Sequence, residues 1–166
     1  MAKHVFKTEL SVKGIEKLQE ELRNYKVDFN KKVGLFVERL AQEGVMIASL
    51  KIVEFDAIYT GELLNSMKIK KGDSFYDGHK WYIYTDCPWA KFVEFGTGIV
   101  GMENQHPNSD IVGWKYDVNE HGEKGWFYFK DYEWHWTKGM PSRPFMYETA
   151  LELQLLVPKI AMEVFG

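Results

Sequence analysis

The sequence predicts an α+β fold, in which a small antiparallel sheet packs with a long helix in the N-terminal half and with a C-terminal helix. Three patterns predict this class. Apolar residues recur at helical spacing over residues 28–53, aromatic and β-branched residues fill Trp81–Thr85, and a second helical seam runs from Met146 to Val164. Because no repeat, linker or low-complexity tract interrupts these segments, we expect one domain over residues 1–166.

The first 53 residues are predicted to form a strand and two helices. Residues 5–12 favour an opening strand, and Ile15, Leu18 and Leu22 then recur at helical spacing in a short helix that ends near residue 25. A longer helix over residues 28–53 should bury a stripe formed by Val33, Phe36, Val37, Leu40, Ile47 and Ala48. Gly44 inside it indicates either close approach of another helix or a tolerated glycine, and we favour the second interpretation.

A short helix and a hairpin are predicted next. Thr60 is a good N-cap for a helix that includes Leu63. Met67–Lys71 alternates and is followed by a glycine, so we expect this strand to pair with Trp81–Thr85.

Residues 86–98 predict a tight corner and then about two turns of helix. Pro88 is well placed as the first helical residue, with Asp86 or Cys87 as the cap. Gly96 should end the helix with a positive φ. The aromatic stripe that this helix buries consists of Trp89, Phe92 and Phe95.

The segment over residues 101–139 is predicted to be an inserted loop with an aromatic β-hairpin arm. Residues 98–110 favour a loop, and Trp114–Val118 should pair with Trp126–Lys130 through a glycine-bearing turn at residues 119–125. Since an isolated hairpin is marginal in water, the arm either folds back on the main sheet or packs on a neighbouring subunit. The possible subunit interface consists of Trp114, Tyr116, Trp126, Tyr128, Trp134 and Trp136.

The last helix is predicted to follow an extended segment over residues 141–144 and to begin near Phe145. Its seam should consist of Met146, Ala150, Leu153, Val157, Ile160 and Val164. Pro158 should kink or break the helix, because it removes the donor to the carbonyl of Gln154.

The composition of the chain excludes several classes of function. The net charge of −3 argues against a protein whose main function is to bind nucleic acid, because such binding needs a basic patch. The single cysteine, Cys87, excludes an intramolecular disulfide and a cysteine zinc site and fits synthesis in a reducing cytoplasm. No signal peptide or membrane span is visible, so we expect no membrane partner.

No catalytic, cofactor or metal motif is apparent. The five histidines lack the i,i+4 spacing of a helical zinc site. Cys87 is a nucleophile at a helix N-terminus in one interpretation and a buried inert thiol in the favoured one. Glu94 could act with Asp86 or Asp110 as the carboxyl pair of a cell-wall hydrolase, although its position on the helix favours a solvated or salt-bridged face.

Three segments carry a family resemblance. Residues 88–98, PWAKFVEFGTG, resemble the YA-x-F-x-E-F-G-T-G core of a family of small tail-completion and neck proteins of long-tailed bacteriophages. Residues 59–67, YTGELLNSM, are similar to its TG-x-L-x-x-S-I element, and residues 141–146, PSRPFM, resemble its P-x-R-P-F element. The residues at matching positions are Thr60, Gly61, Leu63, Ser66, Ala90, Phe92, Glu94, Phe95, Gly96, Thr97, Gly98, Arg143, Pro144 and Phe145.

The resemblance implies a structural virion protein of a phage or prophage that completes the tail or joins it to the capsid, and no enzyme and no cofactor. It implies a homo-oligomeric ring, hexameric or dodecameric, that contacts the connector or stopper protein and the tail-tube or tail-terminator protein. DNA would pass through such a ring without sequence-specific recognition. The expected location is the neck of the virion, and the host cytoplasm before assembly. A phage-encoded cell-wall hydrolase that uses Glu94 is the alternative.

Arg143 lies between polar and proline neighbours in one of these elements, and its planar charged group suits a fixed ion pair. Glu94 is the candidate partner. We predict that Arg143→Glu impairs folding or assembly, measured by solubility and by particle mass. A soluble variant that assembles fully would contradict the pairing.

Overall fold

A computed structural model describes residues 4–58, 60–73, 78–117 and 124–166. The fold is α+β, as predicted. Its elements in chain order are α1 Val12–Glu54, α2 Glu62–Asn65, β1 Met67–Lys71, β2 Trp81–Thr85, α3 Ala90–Phe95, α4 Gly98–Glu103, α5 Ser109–Val112, β3 Trp126–Lys130, β4 Glu133–Thr137, β5 Gly139–Met140 and α6 Phe145–Phe165.

The N-terminal region is one helix of 43 residues, where a strand and two separate helices were predicted. Ser11 caps α1, because its Oγ accepts the backbone N–H of Gly14 at 3.1 Å. Residues 26 and 27 contain no glycine or proline, so nothing ends the helix there. Residues 4–9 form no strand, and His4 and Phe6 instead lie against the ring of Tyr25, at centroid distances of 4.9 and 5.6 Å.

Helix α6 packs antiparallel against the C-terminal part of α1. Lys51 contacts Glu152 at 3.2 Å, and Arg39 contacts Glu163 at 3.3 Å, so the two helices run in opposite directions. The Glu54 and Glu152 carboxylates beside Lys51 raise the pKa of that ammonium group. Phe165, the last residue of α6, lies 5.8 Å from Phe29 and 5.7 Å from Phe36, so the part of α1 before Tyr25 extends beyond the end of α6.

The buried face of α6 agrees with the predicted seam only in part. Ile160 and Val164 of that seam are buried, whereas Ala150 and Val157 are exposed. Phe145 and Thr149, which were not in the seam, are buried as well. The predicted break at Pro158 does not occur, since the helix continues to Phe165. Gln154 and Pro158 both lie on the exposed side, where water can bond the carbonyl that loses its donor.

The predicted pairing of β1 with β2 is confirmed, with Met67 opposite Thr85 and Ile69 opposite Ile83. One face of this hairpin packs on α1. The main core cluster consists of Ala48, Ile52, Leu63, Met67, Cys87, Ala90 and Phe145.

Gly44 lies where three elements meet. A Cβ atom there would collide with Ile83 Cδ1 of β2 and lie 3.4 Å from Leu153 Cδ2 of α6. A methyl group at this position would require the end of the Ile83 side chain to move within a packed core.

The caps of the two short helices differ from the predictions. The N-cap of α2 is Gly61, at φ 78°. Thr60 directly precedes this cap, and its Oγ1 accepts the Glu62 N–H at 3.3 Å. Helix α3 begins at Ala90 with Trp89 as its cap, because the residues after Asp86 form a turn first. Gly96 ends α3 at φ 78°, as predicted.

Residues 98–103 and 109–112 form two short helices, α4 and α5, where a loop was predicted, and only residues 104–108 between them are non-helical. The glycine content favoured the loop, but these glycines allow close packing instead. Gly101 is buried, and a Cβ atom on it would lie 3.0 Å from the carbonyl oxygen of Met140 in β5. Short helices depend on such tertiary contacts, which local patterns do not reveal.

The aromatic hairpin pairs β3 with β4, so the predicted partner strand is wrong. Residues 114–117 form no strand, and Val118 and the predicted turn residues 119–123 lie outside the described residues. The two strands are joined by Asp131 and Tyr132, whose φ angles of 50° and 66° are those of a type I′ turn. Asp-Tyr lacks the glycine that usually marks this turn, and the sequence therefore did not reveal it.

None of the helices in the described part of the chain is long and apolar enough to span a membrane.

We predict that Gly44→Ala lowers the free energy of unfolding by about 1–2 kcal/mol, because its methyl group meets Ile83 Cδ1 in a packed core. Ile83→Val removes that atom. On this background, Gly44→Ala should be neutral or stabilising by up to about 1 kcal/mol, since alanine is the better helix former. Chemical denaturation of the four chains measures both effects, and equal effects in the two backgrounds would contradict the assignment.

Candidate functional site

The three segments that carry the family resemblance meet in one part of the fold. Leu63, Ala90 and Phe145, one from each segment, belong to the same buried cluster. Leu63 and Ala90 are 27 positions apart in the sequence, and Ala90 and Phe145 are 55 positions apart. The resemblance therefore marks residues that pack together around the corner between α3 and α6.

Glu94 lies at the centre of this corner and is only 7% exposed. Its carboxylate accepts three hydrogen bonds, from Met146 N at 2.8 Å, from Tyr147 N at 3.0 Å and from His106 Nε2 at 3.1 Å. The two backbone donors belong to the first turn of α6, whose own cap residue, Pro144, makes no side-chain hydrogen bond. Glu94 thus caps α6 from another helix, where the positive end of the helix dipole also stabilises its charge.

His106 completes this arrangement and is 4% exposed. Its Nδ1 accepts the backbone N–H of Asn108 at 3.0 Å, so the proton lies on Nε2 and is donated to Glu94. Glu94, His106 and the N–H groups of Met146 and Tyr147 are called here the Glu94 cluster. Sequence analysis missed His106, because its partner is 12 positions away and no motif spacing links them.

Glu94 is neither solvated nor paired with Arg143, so both predictions are wrong. Its carboxylate is occupied by the three donors of the Glu94 cluster. Among the described residues, Arg143 forms no ion pair with it; its Nε donates instead to the carbonyl of Phe55 at 3.0 Å, and its backbone N–H to Val93 at 2.8 Å. Arg143 therefore joins the end of α1 to α3 and the start of α6.

Glycine is required at position 96 by both conformation and space. Its φ is 78°, and a Cβ atom would lie 2.7 Å from Ser142 N and 2.9 Å from Met140 O. Ser142 Oγ donates to the carbonyl of Glu94 at 2.6 Å. The segment before α6 is thus held directly against the end of α3.

The other family-motif residues stabilise the same corner. Ser66 Oγ donates to Leu63 O at 2.8 Å and contacts Thr85 Oγ1 at 2.5 Å. Thr97 Oγ1 accepts the Met140 N–H at 3.3 Å, and Gly98 N donates to Tyr116 O at 2.8 Å. The rings of Phe92 and Phe95 lie 5.9 and 5.0 Å from the ring of Trp114.

Trp114 and Tyr116 lie in the body of the molecule, not on the arm. Trp114 Nε1 donates to Gly96 O at 3.0 Å, and its indole stacks on Phe95. Tyr116 packs near Gly101, and its buried hydroxyl has no hydrogen-bond partner within the described residues. Both side chains are half-buried, because α3 and α4 cover them.

The aromatic ladder is one face of the β3–β4 hairpin and is formed by Phe127, Phe129, Trp134 and Trp136. Phe127 pairs edge-on with Trp136 at 4.7 Å, and Phe129 with Trp134 at 5.3 Å. All four side chains are between 49% and 68% exposed. Sequence analysis named the two tryptophans and missed the two phenylalanines, because it assigned β3 to the wrong partner strand.

The opposite face of the hairpin is less exposed. Tyr128 stacks on His135 at 5.3 Å, and His135 is half-buried, as expected for a strand residue. Trp126 is also half-buried and lies beside Gly98, where a Cβ atom would be 2.8 Å from its ring. Of the predicted interface residues, Tyr128, Trp134 and Trp136 are therefore the exposed ones.

The remaining candidates for chemistry are not brought together. Cys87 is buried, as expected for an inert thiol, and Asp86 pairs with Lys68 on the surface. Within residues 4–58, 60–73, 78–117 and 124–166, no group of three or more potential ligands is placed to hold a metal ion.

Comparisons with protein-family models, with curated proteins and with solved structures found no match. The family resemblance therefore depends on the three segments described above.

Glu94→Gln is expected to lower the free energy of unfolding by about 2–3 kcal/mol, because an amide N–H group would face donors in a buried site. His106→Ala should also destabilise. The decrease in the free energy of unfolding of the double variant should be smaller than the sum of the two single decreases by at least about 1 kcal/mol. The reason is that both single changes remove the same hydrogen bond between Glu94 and His106. Exposed Glu103→Gln is the control, with an expected change below about 0.5 kcal/mol. Additive single effects in denaturation experiments would contradict the coupling.

Proposed function

We propose that this chain is a structural virion protein of the head–tail junction of a long-tailed phage or prophage. It completes the tail or joins it to the capsid connector, and it acts as a homo-oligomeric ring of six or twelve subunits. It acts through protein–protein contacts rather than through catalysis.

One observation carries the proposal: the family-motif residues form a single structural unit. Glu94 of the central motif bonds to the start of α6, which directly follows the Pro-x-Arg-Pro-Phe element, and Arg143 of that element bonds back to Val93. Leu63 of the first element packs in the same core as Ala90 and Phe145. Residues that specify one fold are expected to support one another's contacts in this way.

The aromatic ladder supports a role in assembly. Four exposed rings on a two-stranded hairpin present roughly 450 Å² of apolar surface, estimated from the usual size of aromatic side chains and their exposed fractions. An apolar patch of this size is within the range of the largest patch on a typical monomer, which is often functional, and aromatic residues are enriched at protein interfaces. The ladder is therefore a candidate contact for a neighbouring subunit.

The proposed partners follow from the resemblance. They are further copies of the chain, the connector or stopper protein on the capsid side and the tail-tube or tail-terminator protein on the other side. The chain would lie in the host cytoplasm before assembly and in the virion neck afterwards. Its net charge of −3 suits a ring through which DNA passes without being held.

No observation favours the hydrolase alternative over this proposal. A general acid must reach its substrate, and Glu94 is 7% exposed with its carboxylate occupied by three donors of the chain itself.

Deleting the gene from the phage genome should give filled heads and complete tail tubes that remain separate in electron micrographs. Supplying the chain from a plasmid should restore joined particles. A plasmid-borne Leu155→Ser chain, changed at an exposed residue of α6, should restore them as well. Normally joined particles in the deletion strain would contradict the proposal, as would release of soluble wall fragments from peptidoglycan by the purified chain but not by Glu94→Gln.

A further inference from the structure

One face of the β1–β2 hairpin packs on α1, and the other face points away from it. Met67 of the packed face is buried in the main core cluster, and Ile83 lies against Gly44 of α1. Because side chains alternate along a strand, the neighbouring positions point to the opposite side. This outer surface, called here the Lys–Tyr face, is formed by Lys68, Lys70, Lys80, Tyr82 and Tyr84.

The lysines and tyrosines of the Lys–Tyr face lie next to one another. Lys70 is paired with Tyr82 across the two strands, and Lys80 Nζ lies 4.7 Å from the centroid of the Tyr82 ring. The same ring lies over Gly72, where a Cβ atom would be 2.7 Å from Tyr82 Cε2. The glycine therefore leaves room for the ring beside the two lysines.

The Lys–Tyr face is basic on a chain whose net charge is −3. Every charged residue within β1 and β2 is a lysine, and Asp73 is the first acidic residue beyond β1. Lys70, Lys71 and Lys80 are exposed and form no ion pair with the described part of the chain. The net charge is a sum over the chain and does not reveal this local excess of positive charge.

We propose that the Lys–Tyr face binds the phosphate backbone of duplex DNA without reading its sequence. The inference rests on the proposed function and names the face of each subunit that lines the DNA passage. Lysine is a flexible point charge that can follow phosphates, and tyrosine hydroxyl groups donate to phosphate oxygens. Contacts of this kind position a protein on DNA and carry no sequence information.

The arrangement of the side chains fits a duplex better than other anionic polymers. Single-stranded nucleic acid is bound largely by stacking of its bases on free aromatic rings. Here Lys80 lies over the ring of Tyr82, and Tyr84 is half-buried. A peptide that docks on a sheet normally adds to a strand edge, whereas these side chains project from the face of the hairpin.

The expected contact is weak and depends on salt. Lys68 is already paired with Asp86, so Lys70, Lys71 and Lys80 remain to neutralise about three phosphates per subunit. The logarithm of the binding constant should then fall with the logarithm of the salt concentration with a slope of about −2.7. A single subunit binds too weakly to hold the duplex in place, and such contacts let DNA slide.

The experiment measures binding of the purified chain to a short labelled duplex by fluorescence anisotropy, between about 20 and about 200 mM salt. The test variant carries Lys70→Gln and Lys80→Gln. The control carries Lys13→Gln and Lys159→Gln, which changes exposed lysines of α1 and α6 and alters the net charge equally.

The wild-type chain and the control should bind with a slope near −2.7 and lose roughly 500-fold in affinity over this tenfold range of salt. The test variant should bind at least about 10-fold more weakly at the lowest salt, with a slope near −0.9, because one lysine of the three remains. An equal loss in the control and the test variant would overturn the inference, because net charge alone would then explain it. Absence of binding by the wild-type chain at the lowest salt would overturn it too, as would tighter binding of single-stranded DNA or of an acidic polypeptide than of the duplex.

The outcome for the Lys–Tyr face is separate from the outcome for the ring. A chain that forms a ring but binds no duplex overturns this inference and leaves the proposed function in place. Lysine acetylation followed by mass spectrometry gives a second readout on the unchanged chain. The duplex should slow the acetylation of Lys70 and Lys80 and leave that of Lys13 unchanged, and equal protection of all three would contradict the assignment.

Discussion

The structure depends on one buried carboxylate. Glu94 accepts hydrogen bonds from two backbone N–H groups of α6 and from His106, and so holds α3, the segment between α4 and α5, and the C-terminal helix in one geometry. A buried carboxylate is costly unless it is fully hydrogen-bonded, and here three donors and a helix N-terminus satisfy it. Because α6 in turn packs along α1 and is tied to it by Lys51 and Arg39, the position of the longest helix follows from the same contact.

The sequence was most informative where pattern and packing agree. The pairing of Met67–Lys71 with Trp81–Thr85, the two long helices and the positive φ of Gly96 follow from periodicity and turn chemistry. The errors arose where distant contacts override local preference. Ser11 starts α1 early, β5 packs against the helix α4 at residues 98–103, and the Asp131–Tyr132 turn lacks a glycine. For the site, Glu94 was singled out correctly, but His106 has no pattern that joins it to Glu94, and its role required the fold.

The described chain combines a hydrogen-bonded corner with an exposed aromatic ladder. The corner fixes the relative positions of α1, α3 and α6, whereas the four rings of the ladder are exposed on the β3–β4 hairpin. Folding alone does not need four exposed aromatic rings on a hairpin, and their exposure to water is unfavourable. The exposure of the ladder is explained if the functional state is an assembly in which a neighbouring subunit covers it.

The most direct test of this account is the mass of the purified chain by light scattering over a wide concentration range, alone and with the connector and tail-tube proteins of the phage or prophage that we propose as its source. We expect a discrete ring, either from the chain alone or on addition of one of these proteins, because the partners fix subunits side by side. A chain that remains monomeric at every concentration and in every mixture would contradict the account.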